Sequence, residues 1–99
     1  VWISGQIPLD PLSMEMVTTG ITAEAEQAFK NLSAVAEAAG GTLDDAVKIN
    51  ISLTDLGDFD AVNTVMASHF NEPYPARACV QVAALPKGAR IEVEAILAL

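Results

Sequence analysis

The sequence predicts an α+β two-layer sandwich, one β-sheet with two helices on one of its faces. Two observations predict it. First, four strand-like segments and two helix-like segments follow one another in the order β-α-β-α-β-β. Second, the chain has 99 residues, 52% of them apolar but only 5% aromatic. That length makes one domain with a core of its own, and the core has to be built from Ala, Val, Ile and Leu.

Each element has a local cause. Val1 to Ile7 alternates moderately, with β-branched residues, and reads as a strand. Pro8, Pro11 and Gly20 mark a long loop, Pro8 to Ile21. Thr22 is placed to cap the first helix, with Glu24 and Glu26 in the first turn complementing its dipole. Phe29, Leu32, Ala36 and Ala39 share a face, and Gly40-Gly41 ends the helix. A short helical turn is expected over Thr42 to Ala46. Ile49, Ile51 and Leu53 then alternate with Lys48, Asn50, Ser52 and Thr54, a half-buried strand. Asp58 is placed to cap the second helix, whose stripe is Phe59, Val62, Val65 or Met66, and Phe70. Pro73 and Pro75 set up a third strand, Ala76 to Ala84. Pro86-Lys87-Gly88 turns the chain into a last strand, Arg90 to Leu99.

Charge and composition remove several function classes. The net charge is -8, and no cluster of Lys or Arg offsets it, so nucleic acid is not expected as the main partner. One Cys allows no internal disulfide and fits a reducing cytoplasm. With one Cys and one His, a zinc site of the usual kind is not available. No run approaches the roughly 20 apolar residues of a membrane span. So much aliphatic content in a small chain predicts a buried subunit interface, and hence a homo-oligomer.

Arg77 is the residue most in need of explanation. It opens an apolar strand in a chain with thirteen Asp and Glu and five Lys and Arg. A cation there needs an anionic partner. That partner is either a structural carboxylate or the carboxylate of a small substrate, which a guanidinium grips with two parallel hydrogen bonds. Alternation puts Arg77, Cys79 and Gln81 on one face, and Ala76, Ala78, Val80 and Val82 on the other. The last strand alternates likewise, with Glu92 and Glu94 opposite Ile91, Val93, Ala95 and Leu97. The apolar faces are expected under the helices, leaving the polar ones to water or another subunit. Cys79 reads as a small packed residue, since only Arg77 stands near enough to activate its thiol. His69, near a helix end, reads as a dipole or surface residue, and Asn63 as a mid-helix polar group bonded to backbone or water. Ser4-Gly5-Gln6 lacks the flanking glycines of a nucleophile elbow.

Taken together, Ser4-Gly5-Gln6-Ile7-Pro8, Val62-Asn63, Pro75-Ala76-Arg77-Ala78-Cys79-Val80, Leu85-Pro86-Lys87 and Ile91-Glu92-Val93-Glu94-Ala95 make the chain resemble the Rid/YjgF family over its whole length. The resemblance implies a single chorismate-mutase-like α+β domain over 1–99, with one mixed sheet. It implies a homotrimer with clefts between subunits and 2-imino or enamine acids as substrates. It also implies a residue set. Arg77 would bind the substrate carboxylate and Glu92 would activate water. Ser4, Gly5, Asn63 and Cys79 would line the cleft, the backbone acting at Gly5 and Cys79. Members usually carry a further N-terminal segment with a strand and a cleft tyrosine, and neither has a counterpart in these residues.

The implied chemistry fits those residue types. A guanidinium that fixes the carboxylate of a 2-imino acid also orients its electrophilic carbon. A carboxylate base then directs water at that carbon. No metal or cofactor is required. Two other classes compete: a non-catalytic module holding a small carboxylate as regulatory ligand, and a ribonuclease, which the charge and the single histidine disfavour. Geometry adds one expectation. If the Leu85-to-Ala89 turn reverses the chain about residue 87, Glu92 falls level with Val82. Arg77 then lies about 16 Å further along, at ~3.3 Å per residue. One small imino acid cannot touch both groups of a single chain, so the site is expected to be shared between subunits.

Overall fold

The computed structural model describes residues 1–99. The elements are β1 (Trp2–Gln6), α1 (Ile21–Ala38), β2 (Ala46–Leu53), α2 (Phe59–His69), β3 (Ala76–Gln81) and β4 (Ile91–Leu97). The sheet order is β1-β4-β2-β3. β4 runs antiparallel to β1 and β2, while β2 and β3 are parallel, so the sheet is mixed. The parallel pair follows from α2, a crossover that returns the chain to the same end of the sheet. β3 and β4 are thus separated by β2 although they are consecutive in sequence.

Both helices pack on one face. α1 lies over β1 and β4, with α2 beside it. The two helices and the inward residues of β1, β2 and β4 form one core cluster. Ala25, Ala28 and Ala36 let α1 sit close to the sheet, and Phe29 and Leu32 fill the space between. Phe29 also stacks on His69, with ring centroids 5.6 Å apart, and meets Phe70 edge-on at 6.2 Å, which ties α1 to the end of α2. α1 stops where Gly40 takes φ 93°, and the Gly41 N–H donates back to Ala36 O at 3.0 Å.

Several local expectations are corrected. α1 begins at Ile21 with Gly20 at its cap position, so Thr22 is inside the helix and caps nothing. Asp58 stands at the cap of α2 but makes no capping bond. Asp55 instead accepts from the Gly57 N–H at 2.8 Å, in the 3-10 turn that leads in. The turn near residue 43 is a 3-10 turn over Leu43–Asp45, closed by a Thr42–Asp45 capping box. The third strand ends at Gln81 rather than Ala84 because its partner β2 ends at Leu53, whose carbonyl takes the Val82 N–H at 2.8 Å. The last strand is Ile91–Leu97 rather than 90–99, because Arg90 is drawn to α1 instead. Its Nε and Nη2 donate to one oxygen of Glu24 at 3.1 and 2.5 Å. Glu24 is only 3% exposed, and Arg90 is its sole ion-pair partner. Glu26 pairs with His69 at 3.0 Å across the two helices, instead of serving the helix end.

The largest correction concerns β3. Register pairs Ile49, Ile51 and Leu53 with Arg77, Cys79 and Gln81, and also with Ala95, Val93 and Ile91. Residues paired this way share a face. Arg77, Cys79 and Gln81 therefore point to the helix side, and Ala76, Ala78 and Val80 point outward, the reverse of the expected arrangement. β4 follows expectation, with Glu92 and Glu94 outward. β3 is an edge strand beside α2, where the inner face is not sealed, so polar groups are tolerated there. Val80 on this strand and Trp2 (83% exposed) on β1 stand at opposite edges of an outer sheet surface whose middle carries Lys48, Asn50, Ser52, Glu92 and Glu94.

Candidate functional site

Arg77 and Asn63 meet at the open edge between β3 and α2. Arg77 Nη1 donates a hydrogen bond to Asn63 Oδ1. The guanidinium carbon also lies 5.0 Å from the centre of the Phe59 ring. Phe59 and Asn63 are one helical turn apart on α2, so both reach the same side chain. The contacts between acidic and basic side chains are Arg90–Glu24 and the hydrogen-bonded His69–Glu26, and Arg77 takes part in neither. The surface salt bridge that would have made Arg77 merely structural is not formed. Neutral groups hold this guanidinium and leave its charge available.

Arg77 and Asn63 line a cleft of about 420 Å³ with Met66, Ala67, Tyr74 and Pro75. The cleft thus has a polar end, from Arg77 and Asn63, and an apolar run beyond it. Sequence reasoning missed Phe59, Met66, Ala67 and Tyr74 as parts of a site. The first two were read as core stripe alone. The signal available was the spacing 59, 63, 66/67, which places these residues on one side of a helix.

Cys79 is two residues from Arg77 on the same face, half-buried against the core. Burial pushes its thiol above its ordinary pKa, and Arg77 offsets this only partly. A nucleophilic cysteine needs the opposite balance.

Glu92 and Gly5 form a second group, on the outer face near β1, with Ser4 beside Gly5 in the chain. The β1–β4 register is irregular between Ile3, opposite Ala95, and Gln6, opposite Val93. This brings the Gly5 backbone against Glu92. A Cβ added at Gly5 would lie 2.5 Å from Glu92 Cδ and 2.6 Å from its Oε1. Ser4 is exposed, and its carbonyl accepts from Gln6 Nε2 at 3.0 Å.

The two groups do not meet within one chain. Through Ser52, Glu92 is level with Val80, not Val82 as expected from the turn; Arg77 is level with Ala95. Three residues along the strand and two strands across put their Cα atoms about 14 Å apart. Their side chains also leave opposite faces of the sheet. No group of three or more His, Cys, Asp or Glu side chains is arranged to hold a metal ion. No helix is long and apolar enough to cross a membrane.

A family model described as Endoribonuclease L-PSP matches residues 1–99. The chain is 48% identical over 99 residues to a 2-iminobutanoate/2-iminopropanoate deaminase of Dermatophagoides farinae, covering all of this chain and 77% of that protein. It is 47% identical over 96 residues to the human protein of that name, covering 97% of this chain and 70% of the relative. The crystal structure of RidA from an Antarctic Psychrobacter superposes with a TM-score of 0.95 at 56% identity, over 99% of this chain and 79% of that one. Escherichia coli TdcF with bound serine gives 0.91 at 37% identity, over 99% and 79%. The chain belongs to the Rid/YjgF family.

Proposed function

We propose that this protein is a hydrolytic deaminase of small 2-imino acids, working in the cytoplasm as a homotrimer whose sites are each built by two subunits. The observation that carries the reading is Arg77: an arginine in a cleft, held by Asn63 and Phe59, with no carboxylate of its own. Relatives close to half identical bear the name 2-iminobutanoate/2-iminopropanoate deaminase, and TdcF was captured with serine, itself a small carboxylate.

In this reading Arg77 binds the carboxylate of 2-iminopropanoate or 2-iminobutanoate and so presents C2. Glu92 of a neighbouring subunit, seated against Gly5, takes a proton from water as the water oxygen attacks C2. The imine nitrogen gains the protons and leaves as ammonia, so one imino acid and one water become one 2-oxo acid and one ammonia. Ser4, the Gly5 and Cys79 backbone, and Asn63 complete the cleft. Trp2 and Val80, exposed large apolar side chains on the outer sheet face, favour burial against other copies. The family model's description points instead to RNA cleavage. The charge of -8 and a single histidine, already engaged with Glu26 and Phe29, count against that chemistry.

Imine generated in the assay from alanine by an amino-acid oxidase should release ammonia faster with the protein than without it. Arg77→Ala should reduce that excess roughly a hundredfold or more, because a misplaced substrate forfeits orientation. Arg77→Lys should remain poor, since a point charge cannot reproduce the fork. Wild-type turnover in Arg77→Ala would overturn the reading.

A further inference from the structure

Beyond the carboxylate anchor, the cleft has a shape that acts on the rest of the substrate. Arg77 and Asn63 close one end, and from there the groove continues along α2 past Met66 and Ala67, walled by Tyr74 and Pro75. Asn63 and Ala67 are four residues apart, about 6 Å along the helix axis. A side chain of three or four carbons would span that length. Its lining is apolar apart from the Tyr74 hydroxyl, and no second cation stands in it. Met66 is buried and belongs to the core as well as the cleft, whereas Ala67 is exposed and contributes only a methyl group to the wall. Ala67 is thus the place where the length of the groove is set without cost to the core.

We propose that Ala67 is a specificity-determining residue: the small side chain there keeps open an apolar channel that takes 2-imino acids with side chains longer than one or two carbons. The proposal rests on the reading of Arg77 as the carboxylate anchor. The channel should favour unbranched or γ-branched apolar side chains and reject acidic ones, which would meet an uncompensated apolar wall in an acidic protein.

Ala67→Leu tests this. Leucine is a good helix former at an exposed position, so the variant should fold. Imines made from alanine and from leucine are compared by ammonia release above the spontaneous rate. The variant should lose roughly tenfold or more in kcat/KM for the leucine-derived imine, as expected for a filled apolar pocket. Its loss on the alanine-derived imine should be at least roughly threefold smaller, and the wild type should turn over the glutamate-derived imine far less well than the leucine-derived one. Equal loss on both apolar imines, or no loss on either, would overturn the proposal. Binding of pyruvate and of 4-methyl-2-oxopentanoate, measured by calorimetry on both proteins, separates the proposal from the reading beneath it. If no imine is turned over, the deaminase reading falls, but a selective loss of the longer 2-oxo acid in Ala67→Leu still supports the channel. If both ligands bind equally well to both proteins, the channel is wrong whatever the activity.

Discussion

At the scale of single residues, what matters is which partner each charged group already has. Of the two arginines, Arg90 is engaged by Glu24 and Arg77 by neutral groups only. Cys79 stands beside Arg77 yet has its thiol pushed upward by burial, so it is protonated at neutral pH. Cys79→Ser should therefore keep most activity, and alkylation by iodoacetamide should be slow at pH 8 and accelerate only as pH rises above the ordinary thiol range. Fast modification near neutral pH, or complete loss of turnover in Cys79→Ala, would revive covalent chemistry. Gly5 makes a sharper case. The atoms that an added Cβ would strike are the movable end of Glu92, not backbone. Gly5→Ala should thus leave the melting temperature nearly unchanged while displacing the carboxylate, and kcat should fall much more than KM rises. A variant that melts early but turns over normally would make Gly5 a folding residue only.

At the scale of elements, the pairing of Glu24 on α1 with Arg90 at the head of β4 fastens the first helix to one of the sheet's two central strands. Glu24 is almost fully buried, while the Arg90 side chain is 44% exposed, which screens the pair in part. Arg90→Met should then cost about 2 kcal/mol, below the full penalty of a stranded buried charge. The double change Glu24→Met with Arg90→Met should recover most of that loss. Urea unfolding of Arg90→Met, Glu24→Met and the double variant checks this, and additive losses would mean the two residues act independently. Element order was legible because periods of 2 and 3.6 differ plainly in segments such as 49–53 and 25–36, and Gly40 and Pro73 punctuate them. The inward face of β3 was not legible. Alternation states which residues share a face but not which face is inside, and the apolar side of an edge strand need not turn toward its own core. The neighbours of Arg77 were hidden for a related reason: Asn63 and Phe59 lie on a helix whose angle to β3 is set by the whole core. Arg77 and Glu92 themselves stood out in the sequence, one by its charge, the other through the family likeness.

At the scale of the whole molecule, the groups proposed for catalysis occupy opposite faces of one sheet. A single chain places the proposed carboxylate anchor at the β3 edge and the proposed base near β1, some way apart and on opposite faces of the sheet. In the proposed homotrimer, a cyclic arrangement would resolve this by setting the β3 edge of one copy against the β1–β4 side of the next. The central claim, that each site takes Arg77 from one subunit and Glu92 from another, is tested most directly by complementation. Arg77→Ala and Glu92→Gln proteins, each inactive alone, are mixed in equal amounts, and subunit exchange is verified by mass spectrometry. Random assembly into a ring gives an intact pair in about one quarter of the interfaces, so imine turnover should rise to about one quarter of the wild-type value. Exchanged mixtures that stay as inactive as their parents would contradict the shared site.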